Sequence, residues 1–212
     1  MKYFLFFIAL FFSLSVYSQN VRFTVIGEPQ ISWMSPVKDN ISGEGIVTGL
    51  NAGLGVDFFF AENYAFSTGL SLSSLGGKLA CIDTLNYNRT AIPSLSIIRY
   101  KIQYVSLPLG LKFNTDEIGY STYFANLGIN PMIRIKAKGT DSKEIIENDN
   151  ITEEIRFLNI AYFLFLGTHY SLGGSTSLVG GVGYSSGITD VISDSDYKAV
   201  VRTVTIRLGI LF

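Results

Sequence analysis

Large apolar side chains recur at every second position through most of this chain, and the last segment does so without interruption. Val204, Ile206, Leu208, Ile210 and Phe212 share one face, and Thr203, Thr205, Arg207 and Gly209 share the other. Eight segments carry the same period of two: approximately Val21 to Met34, Ile46 to Phe60, Ala65 to Leu79, Ile98 to Phe113, Thr122 to Lys138, Ile155 to Ser171, Thr176 to Ile188 and Ala199 to Phe212. None sustains a helical period, so each predicts a strand. All exceed the roughly 9–11 residues that a tilted strand needs to cross a bilayer.

The two faces differ in kind. On the fifth segment Tyr123, Ala125, Leu127, Ile129, Pro131, Ile133 and Ile135 oppose Asn126, Gly128, Asn130, Arg134 and Lys136. On the second, Ile46, Leu50, Leu54, Val56, Phe58 and Phe60 oppose Gly49, Asn51, Gly53, Gly55 and Asp57. Bulky apolar residues against small or charged ones suit a narrow barrel with lipid outside and a polar lumen inside. The fourth segment breaks phase: Ile98, Tyr100, Ile102 and Tyr104 are apolar, then Leu107, Leu109, Leu111 and Phe113 take over. A one-residue bulge near Tyr104 or Val105 is expected to restore a single lipid face, with Pro108 turned inward.

Connections alternate in length. Short ones are Ala61 to Tyr64, Asn114 to Ser121 and the Gly173-Gly174 turn; long ones are Ser35 to Gly45, Ala80 to Ile97, Gly139 to Glu154 and Thr189 to Lys198. An even strand count with alternating short turns and long loops is the pattern of bacterial outer-membrane barrels. The chain opens with Lys2, an apolar run from Tyr3 to Leu14 and small residues up to Ser18, which reads as a secretory signal peptide over residues 1–18. The expectation is therefore an all-β, eight-stranded antiparallel up-and-down transmembrane barrel over residues 19–212. Its place is the outer membrane, with both termini in the periplasm. Trp33, Tyr64, Phe66, Tyr123, Tyr170 and Phe212 stand near strand ends, where interfacial aromatic girdles belong.

Charge narrows the function classes. Sixteen Lys and Arg against seventeen Asp and Glu leave no basic bias of the kind that nucleic-acid binding uses. The single Cys81 excludes an internal disulfide, and one Cys with one His makes no metal site by spacing, so no metal or cofactor is expected. Glu28, Asp57, Lys112 and Arg207 are expected to face the lumen at comparable heights. They read either as a gated polar pathway or as ion pairs filling an interior too thin to conduct, and the size of an eight-stranded lumen favours pairs. Arg99, Lys101, Arg134 and Lys136, with Lys138, read as a basic stripe near the outer mouth, balanced by loop acids such as Asp141, Glu144 and Glu147 or open to an anionic ligand or lipid phosphates. His169 and Ser171 share a face, yet no third member of a hydrolase triad is identifiable, so catalysis is not expected.

The stretch Tyr104-Val105-Ser106-Leu107-Pro108-Leu109-Gly110-Leu111-Lys112-Phe113 resembles the signature strand of the PorT-like outer-membrane β-barrel family. Gly53 to Gly55, Phe66 to Leu70, Gly187 to Asp190 and Leu208 to Phe212 extend the resemblance over the mature chain. Ser106 stands where that family often has an acidic residue. The resemblance implies an eight-stranded outer-membrane barrel without assigned activity, in a family whose name-giving member is linked to type IX secretion. The expected function is structural, interaction-based or secretion-associated and non-enzymatic. Alternatives are a narrow porin or a lipocalin-like barrel holding a small ligand. Expected partners are outer-membrane lipid, the barrel insertion machinery reading the C-terminal strand, and secretion-system or surface proteins met through the long loops.

Overall fold

The computed structural model describes residues 21–37, 41–81, 85–87, 90–92, 97–141, 149–193 and 197–212, so the signal peptide expected over residues 1–18 and the expected loop acids Glu144 and Glu147 lie outside it. Twelve strands follow one another: β1 (Val21–Pro36), β2 (Ile41–Ala61), β3 (Tyr64–Cys81), β4 (Leu85–Tyr87), β5 (Thr90–Ile92), β6 (Ile97–Ser106), β7 (Leu109–Asn114), β8 (Ser121–Asp141), β9 (Asp149–Asn150), β10 (Leu158–Gly173), β11 (Thr176–Gly187) and β12 (Ala199–Leu211). β6 and β7 are two halves of one wall strand, parted at Leu107 and Pro108, so the wall has eight antiparallel strands in a closed ring. β4 and β5 form a separate small hairpin. Closure runs through β1 and β12, from Thr24 opposite Leu211 to Pro36 opposite Ala199. Phe23 and Phe212 add two backbone hydrogen bonds, with N–H of Phe212 donating to the carbonyl of Phe23 at 2.8 Å and the reverse at 3.2 Å. Closing the ring removes every lipid-facing edge, which a membrane requires because no water is there to satisfy one.

One end carries tight turns. Gly173 and Gly174 adopt φ of 102° and 63°, a left-handed pair that side chains resist, and this lets β10 reverse directly into β11. Asn63 in the β2–β3 turn donates to Asp116 at 2.7 Å, tying two neighbouring turns together. At the other end the strands run on further than the alternation marks. β1 continues to Pro36 and β2 starts at Ile41, so the expected Ser35-to-Gly45 loop shrinks to residues 37–40. Backbone pairing explains this: Ser35 and Pro36 continue the ladder to Val200 and Ala199 of β12, and Ile41 to Gly45 pair Cys81 to Lys78 of β3, while Ile41 packs into the apolar cluster with Met34. The expected Gly139-to-Glu154 loop likewise gives its first residues to β8 and adds β9 and a 3₁₀ turn at Thr152–Glu154. Ile155, expected to open the sixth strand, instead bridges to Ile192 in the last loop.

The bulge expected near Tyr104 or Val105 is not on this strand. Tyr100, Ile102 and Tyr104 are 4%, 0% and 1% exposed, whereas Arg99, Lys101 and Gln103 face outward in the same parity as Leu107, Leu111 and Phe113. The face stays constant, and what changes along the barrel axis is the environment. Around β7 the outside is apolar and the lumen polar; around β6 the outside is polar and the lumen is filled by an apolar plug. That plug joins Leu75, Leu79, Ile98, Ile102 and Met34 to the loop residues Ile151, Ile155, Val191 and Ile192. The irregularity sits instead on the neighbouring strand, where Gln103 pairs Lys136 and Tyr104 pairs Arg134, leaving Ile135 as the extra residue. In a Cys81→Ser background, single cysteines at Leu107 and Leu111 should react with a lipid-soluble maleimide in reconstituted bilayers. Cysteines at Tyr100 and Ile102 should resist it until the protein is unfolded, and their ready labelling would return those residues to the outer wall.

Candidate functional site

The interior is layered. Nearest the turns, Phe124, Val179 and Leu211 make a small apolar floor with Phe165 packed on it. The apolar plug closes the loop end. Between them lies a polar chamber with a cavity of about 90 Å³, lined by Glu28, Asp57, Lys112 and Arg207 together with Ser71, Ser73 and Asn126.

The four lumenal charges form two ion pairs. Arg207 Nε donates to Glu28 Oε1 across the β1–β12 seam, and Asn51 donates to the other Glu28 oxygen at 2.6 Å. Lys112 on β7 donates to Asp57 Oδ2 on β2 at 2.6 Å, reaching past β3 through the narrow interior. Their side chains are 16% or less exposed, so water contributes little to holding either charge. Aromatic rings complete the setting: the Arg207 guanidinium lies 3.8 Å from the Phe165 centroid, and Lys112 Nζ lies 4.7 Å from that of Phe124. Gly183 faces Phe165 across the β10–β11 pair, and a Cβ there would fall 2.1 Å from the ring, so this glycine makes room for the platform under Arg207. Sequence reading missed Asn51, Phe124 and Phe165 as partners. Their inward parity is visible in the sequence; the strand stagger that brings them to these charges is not.

Higher in the chamber, Gln30 donates to Ser73 at 2.9 Å, and the Gly76 amide donates to Ser32 Oγ at 2.9 Å. These bonds join β1 to β3 where β2, between Gly45 and Asn51, loses its ladder to β3. His169 is buried and stacked on Phe124 with centroids 4.6 Å apart, and neither ring nitrogen has a hydrogen-bond partner among the described residues. The geometry gives Ser171 no engaged base.

The basic stripe is split by the bulge. Arg99, Lys101 and Lys136 are exposed on the outer wall, with Lys138 and Lys78 half-buried beside them. Arg134 lies on the other face and donates from Nη1 to the Ile155 carbonyl, tying the loop end to the wall. The expectation of one basic stripe that includes Arg134 is thus corrected. Ile135 adds a residue to β8, which sends Lys136 and Lys138 outward, and the constant parity of β6 does the same for Arg99 and Lys101.

Residues 8–193 match a family model described as the outer membrane protein beta-barrel domain. Among solved structures the chain is similar to Neisserial surface protein A at 11% identity and a TM-score of 0.52, over 89% of this chain and 95% of that one. It is also similar to OprG from Pseudomonas aeruginosa at 12% identity and a TM-score of 0.50, over 90% and 94%. At such identity the likeness is one of fold. No curated protein sequence matches the chain.

Proposed function

The chain belongs to the outer membrane protein beta-barrel domain family, and from that premise we propose that it is a non-enzymatic, PorT-like barrel with a closed lumen and a loop end that is its working surface. The observation that carries this reading is the layered interior: among the described residues, apolar floor, paired charges and apolar plug follow one another along the axis, with a cavity of about 90 Å³ beside the charges. A transport role needs a continuous aqueous path, and a ligand-holding barrel needs an apolar cavity; neither agrees with that filling. The loop end, by contrast, is built to present a surface. Ile155 bridges Ile192, the Arg156 amide donates to the Val191 carbonyl at 2.8 Å, and Arg156 and Lys198 approach Asp190 at 3.9 Å each.

In this reading the turn end, where Val21 and Phe212 lie, is periplasmic and the loops face the exterior. The partners are outer-membrane lipid around the belt, the insertion machinery at the Phe212 strand, and surface or secretion-system proteins at the loops. Single cysteines in a Cys81→Ser background test the orientation. A membrane-impermeant maleimide added to intact cells should label a cysteine at Glu153, and should label one at Glu117 only after the outer membrane is permeabilised. Labelling in the opposite order would reverse the topology and remove the loops as an outward surface.

A further inference from the structure

We propose that the outer wall just beyond the apolar belt on β3, β6 and β8 is a docking surface for the phosphate groups of an anionic membrane lipid. Lys78 stands directly opposite Arg99, Lys101 directly opposite Lys138, and Lys136 follows one row nearer the belt, opposite Gln103. Like charges facing each other across an antiparallel ladder repel. Two such rows on three adjacent strands form a patch that an anion between them stabilises. Among the described residues the ion pairs are Lys112–Asp57, Arg207–Glu28, Arg156–Asp190 and Lys198–Asp190, and none of these five cations enters them.

Position selects a lipid rather than a soluble anion. In the register, the row below Gln103 and Lys136 passes into Leu72, Val105 and Ile133, and Leu72, Ile133 and Ile135 are 61%, 45% and 54% exposed on the lipid side. At about 3.3 Å of rise per residue, the cations begin within one or two residues of that apolar surface, the height at which phosphates sit above acyl chains. Long basic side chains reach such headgroups while their stems stay on the wall. The bulge at Ile135 gives up regular pairing and in return turns Lys136 and Lys138 away from the plug and onto this face.

The inference rests on the membrane-spanning reading, which heat-modifiable gel migration tests separately. The folded full chain in zwitterionic micelles is titrated with a bisphosphorylated glucosamine glycolipid, its dephosphorylated form, and its deacylated disaccharide bisphosphate. The phosphorylated lipid should bind the parent, and R99Q/K101Q/K136Q/K138Q should bind it at least about tenfold more weakly while keeping heat-modifiable migration. The charge-keeping variant K101R/K136R/K138R should bind as the parent does. Equal affinity for the dephosphorylated lipid, or undiminished binding by the glutamine variant, overturns the proposal, as does loss of binding in the arginine variant. Binding of the deacylated headgroup as tightly as the lipid would reassign the patch to a soluble anion.

Discussion

Replacing Asp57 by Asn is expected to lower the unfolding free energy of the reconstituted barrel by about 3–5 kcal/mol, because it leaves the Lys112 ammonium in the chamber without its carboxylate. The two side chains are 4% and 6% exposed, so water recovers little of the loss, and the Phe124 face 4.7 Å away offers a weaker partner than an ionised oxygen. Asp57→Asn combined with Lys112→Met should regain most of the stability, since a paired charge and an apolar side chain of similar volume are nearly equivalent in such a site. Urea unfolding of the parent, both single variants and the double variant in one micelle system measures the coupling. Additive losses would mean that the pair contributes nothing as a pair.

The plug supplies the second large effect. Ile102 is completely buried among residues from β3, β6 and the loops, so Ile102→Ala should cost about 2–5 kcal/mol through lost burial and the cavity left behind. Ile102→Asp should cost more, because an unpaired carboxylate has no acceptable position there. If the earlier assignment of Ile102 to the lipid face held, the alanine change would be nearly silent, since lipid would fill the gap. Thermal scans by heat-modifiable migration distinguish the outcomes.

The contrast at Ile102 marks how far the sequence is legible. Alternation over long segments identifies the eight wall strands, and the division of Leu127, Ile129 and Ile133 from Asn126, Gly128 and Asn130 tells lipid from lumen wherever the strand crosses the membrane. Alternation reports which residues share a face, however, and says nothing about the solvent that face meets. On β6 apolar Tyr100 and Ile102 turn inward and basic Arg99 and Lys101 turn outward, a reversal of polarity that a sequence reading resolves only by inventing a bulge. The real irregularity, at Ile135, has a faint signal in two consecutive outward residues, Ile135 and Lys136. Glu28 and Arg207 were readable as seam neighbours because the two terminal strands must close the ring. The Lys112–Asp57 reach past β3, and the rings beneath Lys112 and Arg207, depend on strand stagger and on the small bore, which no local pattern encodes.

Both ion pairs and the plug bear on one claim, that this barrel is closed along its axis. Planar-bilayer recording of the purified, heat-modifiable full chain tests it most directly. The filled chamber predicts a baseline free of unitary current steps in molar salt at either polarity. Sustained, reproducible steps from the folded protein would contradict the closed lumen and restore a transport pathway through Glu28, Asp57, Lys112 and Arg207.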